Sequence, residues 1–171
     1  DGRLTRAART RAAVVDALLT LNDRGNVRPT ARDIAAEAGV SLRSLYVHFD
    51  DLEALFVAAS VRHAERIAAV VPPLVTDGSL EERLDSFLAR RATVFEVGAG
   101  VRRAALLQEP FSPALQHAVS DGRKAGRAEV RRTFGPELSG ADPDQSSRLW
   151  RALEVVTSAA TWEALRTYQD L

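Results

Sequence analysis

Apolar positions fall into helical stripes along the whole chain. Val14, Ala17, Leu18 and Leu21 recur at i, i+3, i+4 and i+7, one face of a helix that Asp23-Arg24-Gly25 stops. In the breaker Asn26-Val27-Arg28-Pro29, Pro29 turns Arg28 away from helical geometry. Thr30-Ala31-Arg32-Asp33 has the form of a capping box, in which the hydroxyl takes an orphan N–H and the acid three residues on reaches back. The helix it opens turns Ile34, Ala35 and Ala38 inward and ends at Gly39, which tolerates the left-handed position after a helix. Ser41 is a second N-cap, before a short helix over 42–49. Asp50 and Asp51 cap a longer helix over about 52–71, ended by Pro72-Pro73.

The second half repeats the style with weaker punctuation. Ser79 opens a helix to about Val97, with Leu80, Leu84, Phe87, Leu88, Arg91 and Phe95 near one face. Gly98 to Gly100 breaks it, and a short helix runs to Leu107. Pro110 and Pro113 bracket the start of a helix to about Phe134, and Gly135-Pro136 ends it. A single last helix covers about 144–168. No segment sustains period-two alternation, so the fold class is all-α.

Composition removes several kinds of chemistry. With no Cys there are no disulfides, thiolate metal sites or Cys nucleophiles. No His, Asp and Glu stand at a defensible metal spacing, no phosphate loop appears, and no G-x-S-x-G marks a serine nucleophile. Neither an enzyme nor a cofactor is expected. The longest apolar run, Ala54 to Ala59, is far too short to span a membrane, and a cytoplasmic protein is expected. No Met opens the chain, so a natural start upstream of Asp1 is expected.

Charge refines this picture. The chain carries 23 basic and 23 acidic residues, a balance that argues against a polyanion partner until it is divided. Residues 1–50 hold eight Arg against six acids, and four of those Arg lie in the first twelve residues. The rest of the chain is mildly acidic. The field at a polyanion depends on this local distribution as well as on the total.

A cap, a helix, a Gly turn, a second cap and a short polar-tipped helix over residues 30–49 describe a helix-turn-helix. Ala35 and Gly39 are small where the helices approach, and Ile34, Val40 and Leu45 form the apolar wedge. In such a unit the second helix lies in the major groove with its first residues at base edges, here Ser41, Leu42, Arg43 and Ser44. An ordinary αα-hairpin has the same outline, but Tyr46 and His48 stand where a core helix would place apolar groups.

R-x-x-R-T-R-A-A-V-V-D-A-L-L from Arg6, T-A-R-D-I-A-A-E-A-G-V-S from Thr30 and L-Y-V-H-F-D-D-L-E-A-L-F from Leu45 together resemble the tetracycline-repressor (TetR) family of transcription factors. The resemblance covers about residues 6–60; the remainder matches only as a helical region of the expected size. It implies a DNA-binding domain over 1–50 and a helical regulatory and dimerisation domain over 51–171, linked by helix 51–71. It implies groove-facing roles for Leu42, Arg43 and Ser44, with Arg43 suited to a guanine. Arg32 matches a base or phosphate contact, and Thr30, Tyr46 and His48 match phosphate contacts. The N–H groups after Ser41 add partial positive charge facing the duplex. Arg3, Arg6 and Arg9 are expected to follow the backbone or enter the minor groove, as N-terminal arms do. Family members usually carry Lys where this chain has Leu52; its loss predicts a shallower salt dependence and weaker DNA affinity.

The resemblance further implies a homodimer on a palindromic double-stranded DNA operator, released by a small apolar or amphipathic effector. Phe87, Arg91, Phe95, Leu106, Phe111, Leu115, Trp150 and Trp162 are the large groups available to wall a pocket, and plain core packing is the alternative for each. His63 reads as a solvated group of the linking helix and His117 as a structural histidine. Residues 148–167 are apolar on more than one side, which suits burial by a partner chain. Family members dimerise through their last two helices. With one helix counted after Gly140, a further helix beyond Leu171 is expected. Two other readings remain: a DNA-anchored module whose C-terminal domain docks a protein, and a helical ligand carrier with a degenerate helix-turn-helix.

Overall fold

A computed structural model describes residues 2–140 and 142–169, apart from the side chain of Arg3. The described residues form helices and no strand: α1 (Gly2–Asp23), α2 (Ala31–Glu37), α3 (Leu42–His48), α4 (Leu52–Val70), α5 (Leu80–Val97), α6 (Ala99–Gln108), a 3-10 turn (Glu109–Phe111), α7 (Pro113–Leu138), α8 (Pro143–Val156) and α9 (Ala159–Tyr168). The chain divides into two compact units. The first runs to Ala69 and also takes in Val97–Asp121; the second holds Val70–Glu96 and the chain from Gly122 onward.

The first unit has a continuous apolar core. Val14, Val15, Leu18 and Leu19 of α1 meet Ile34 and Ala35 of α2, Leu45 and Phe49 around α3, and Leu55 and Ala59 of α4. Helix α6 also packs on α1. The approach is close at Gly100, where a Cβ would lie 2.5 Å from the Asn22 carbonyl oxygen and 2.8 Å from Asp23 Cα. Arg62 pairs with Asp16 at 3.1 Å and Arg66 with Asp23 at 3.4 Å, two exposed ion pairs that set the register of α4 on α1. Such pairs add little stability.

The second unit is built differently. Arg83 is buried in α5 and bonds both the Thr133 carbonyl and the Glu137 carboxylate of α7. Ser79 and Glu82 form a capping box at the start of α5. Phe87 packs edge-on against Phe134 with centroids 5.4 Å apart. Leu80 and Leu88, expected inward, are exposed instead, because Arg83 and Phe87 face α7.

Two boundaries differ from the sequence pattern. Helix α7 passes through Gly135-Pro136 to Leu138. Proline there removes one N–H near the end of the helix, while the Ser139 N–H and hydroxyl close on the Gly135 and Pro136 carbonyls. The expected single helix over 144–168 is two. Thr157 Oγ1 donates back to the Leu153 carbonyl at 2.6 Å, and Ser158 turns extended and caps Thr161 N–H at 3.2 Å. Hydroxyl side chains here compete with the helical backbone. Two helices, α8 and α9, thus follow Gly140 among the described residues.

Candidate nucleic-acid interface

The α2–α3 unit is assembled from local bonds. Thr30 closes the capping box: its N–H and hydroxyl donate to Asp33 Oδ2 at 2.8 and 2.7 Å, and its Oγ1 accepts the Asp33 N–H at 3.2 Å. These bonds, helped by nearby Arg32, hold the Asp33 carboxyl below its ordinary value. At the other end Val40 N–H reaches the Ala35 carbonyl at 2.9 Å and Gly39 N–H reaches Ala36 at 3.1 Å, a Schellman turn. Gly39 sits at φ +67°, where a Cβ is strained. Ser41 Oγ then accepts the Ser44 N–H at 3.1 Å. Leu45 and Phe49 fasten α3 from below, and the Arg11 guanidinium lies 4.7 Å above the Phe49 ring, tying α1 to the end of α3.

The fastened helix leaves one face to solvent. Leu42, Arg43, Tyr46 and Val47 are exposed, while Ser44 and His48 are half-buried at its flanks. Among the described residues Arg43 has no ion-pair partner. Arg32 is exposed on α2. Thr30 is placed beside it, with its hydroxyl proton already committed to Asp33. Arg6 and Arg9 are exposed too, but not on an extended arm: from Gly2 the chain is already α1. Ala7, Ala8 and the arginines are strong helix formers with no breaker among them, so the expected arm is replaced by a helical extension. The expected Arg3 contact lies outside the described residues. Val47 was not singled out from the sequence, because a lone valine between Tyr46 and His48 carries no recognisable signal.

Residues 16–59 match the family model described as bacterial regulatory proteins, tetR family. These residues form a DNA-binding domain of the tetR family. No curated protein and no solved structure is significantly similar to the chain. The matched segment contains the capping box, the Schellman turn, the whole exposed face of α3 and the first turns of α4.

Within this tetR-family domain, Leu52 is explained by packing. It lies half-buried against the apolar core, beside Leu55, while Asp51 caps the helix by accepting the Ala54 N–H at 2.8 Å. His63, expected to be solvated, is half-buried on α4, and burial holds its imidazole below the ordinary value against the pull of Asp23; Arg66 and Arg102 add to the lowering. His117 is exposed, with Nδ1 2.8 Å from the Pro113 carbonyl. An open groove of about 580 Å³ between α1 and α4 is lined by Ala8, Ala12, Val15, Val57 and Val61, with Arg11 and Arg62 at its sides.

The regulator's expected pocket residues divide between the units. Leu106 and Phe111 are exposed on the first unit, where Phe111 is 81 % accessible, and Leu115 is buried in it. In the second, Arg91 lies 5.0 Å from the Phe87 centroid and 5.7 Å from that of Phe95. Phe95 meets Trp162 at 5.9 Å, and Trp150 is half-buried on α8. Arg91 donates to the Gly126 carbonyl at 2.6 Å, and its buried Nε has no hydrogen-bond partner. Burial works against its charge, and Glu129 offsets part of that penalty.

Proposed function

We propose that the chain is a ligand-responsive repressor that binds a palindromic operator as a homodimer. Residues 1–50 contact DNA, α4 links them to the regulatory part, and Arg43 is the principal base reader. The observation that carries the reading is the face of α3: a helix fastened by Leu45 and Phe49 that presents Arg43 and Tyr46 unburied. A core hairpin would leave no such face. Arg6, Arg9, Arg32, Tyr46 and His48 hold the phosphates. Dimerisation fits α8 and α9, where Leu149, Val155, Val156 and Tyr168 are all exposed on the single chain. The effector acts by binding the DNA-competent and DNA-incompetent states unequally. An apolar or amphipathic effector suits the aromatic surroundings of Arg91.

Sites selected from random duplexes, followed by binding titrations at several salt concentrations, test the reading. Arg43→Ala is expected to weaken binding to the selected site by about tenfold or more and to relax the choice of one guanine. Binding that is unchanged in Arg43→Ala removes the contact assignment. Small molecules are then screened for release of the selected duplex.

A further inference from the structure

The outward face of α3 contains a side chain that no hydrogen-bonding role accounts for. Val47 is 73 % exposed, more than Tyr46 at 47 % or Leu42 at 39 %. Successive residues turn by about 100° around a helix, so Val47 points roughly 160° away from buried Leu45 and within about 40° of Arg43. Arg43 and Val47 are one turn apart on one stripe, an i, i+4 pair. Leu42 and Tyr46 form the neighbouring stripe, nearer the protein body. When α3 lies in the major groove, the stripe opposite Leu45 and Phe49 is the one that reaches the base edges.

The polar groups on that stripe are few. Ser41 Oγ accepts the Ser44 N–H, and Ser44 is half-buried. Arg43 remains as the strong hydrogen-bond reader, with an aliphatic group beside it. In the major groove the apolar feature that separates one base pair from the others is the thymine 5-methyl. One helical turn advances about 5.4 Å, and base pairs are stacked about 3.4 Å apart. The two side chains therefore reach bases one or two pairs apart.

We infer that Val47 is a specificity-determining residue that packs on the 5-methyl group of a thymine one or two base pairs from the guanine bound by Arg43. This rests on α3 being the groove helix. Deoxyuridine provides the test, since it lacks only that methyl. Each thymine of a selected half-site is replaced singly by deoxyuridine, and binding at fixed salt is compared for the native chain and for Val47→Ala. One thymine within two pairs of the Arg43-dependent guanine should lose about fourfold in affinity, the worth of one buried methyl. Val47→Ala should bind thymine and deoxyuridine duplexes equally, with its salt dependence unchanged. The inference is overturned if every thymine tolerates deoxyuridine, or if Val47→Ala keeps the native preference, while site-specific binding persists. If no duplex is bound in a salt-dependent way, the DNA-binding reading falls first and this inference with it.

Discussion

The two units differ in where they keep their charged residues. The first buries a run of aliphatic side chains and leaves its arginines on α1, α2 and α3 outside. The second draws Arg83, Arg91 and Glu129 toward its interior and leaves Leu88, Leu149, Val155 and Val156 at the surface. An apolar core with free cations outside holds a rigid face toward a polyanion. Charges drawn inside give the second unit an interior that depends on pairing, while apolar side chains stand at the surface of both units. The chain's zero net charge thus joins a unit that offers cations with one that neutralises them internally.

The sharpest test of that contrast lies at Glu129. Its carboxylate accepts from Arg90 Nε at 2.6 Å and stands 3.8 Å from Arg91 Nε. Glu129→Ala leaves two guanidiniums short of their counter-charge, and breaking a buried pair in this way costs about 3–5 kcal/mol. The matching change in the first unit, Leu45→Ala, removes no charge and is expected to cost about 3 kcal/mol through lost burial and a cavity. Urea unfolding measures both. The second arm that decides is Arg91→Met: it should make Glu129→Ala milder, whereas nothing in the second unit should alter the effect of Leu45→Ala. Equal losses in both backgrounds at Glu129 would erase the distinction between the two interiors.

The dimer surface proposed for the second unit is tested at Val155, which is exposed on the single chain. In a symmetric dimer the same residue is buried twice, and a carboxylate there must be desolvated in both copies. Val155→Asp is expected to weaken self-association by about a hundredfold, read by sedimentation, with helix content unchanged. A sedimentation profile identical to the native chain's would remove Val155 from the proposed interface.

Smaller still is the effect at Leu52, where the DNA-facing unit gives up a cation for packing. Leu52→Lys should steepen the salt dependence of DNA binding by about one unit per chain. It should also lower the first unit's stability by about 1 kcal/mol, because a half-buried leucine leaves the core. A steeper slope without loss of stability would mean that Leu52 contributes nothing to the core.

The helix-turn-helix was legible in the sequence because its signals are local. Thr30 with Asp33, Gly39, and Ser41 with Ser44 act over three or four residues, and the bonds found are the ones those spacings predict. The second unit was less legible because its determinants are distant. Arg83 is buried only because Thr133 and Glu137 meet it from 50 and 54 residues away, so the pattern put leucines on the inner face. Thr157-Ser158 reads as small residues within an apolar stripe, and only the bonds of their hydroxyls disclose the break. The site shows the same limit. Arg43 announces itself by type, whereas Val47 becomes a candidate only once the buried side of α3 is known.

The smallest expected effect distinguishes the units by pH. His63 has its imidazole held below the ordinary value near 6.5 by burial, and Glu137 has its carboxyl held below the ordinary value near 4.5 by its bond with Arg83. Both groups bind protons more readily unfolded than folded, so both withdraw stability as pH falls, but in different windows. The His63 contribution is complete above the ordinary imidazole value and is lost as pH falls through it toward the folded value. That of Glu137 is untouched there and is lost only as pH falls through the carboxylate range. Mild acidification should therefore loosen the first unit before the second. The loss should be small, since a half-buried imidazole is partly screened. His63→Gln, which keeps the volume and removes the titration, should flatten the first unit's stability between pH 7 and 5. Thermal unfolding over that range, followed with and without the substitution, measures the difference. An unchanged slope in His63→Gln would show that α4 keeps this imidazole wet, and the packing of the linking helix on α1 would then be looser than its ion pairs to Asp16 and Asp23 suggest.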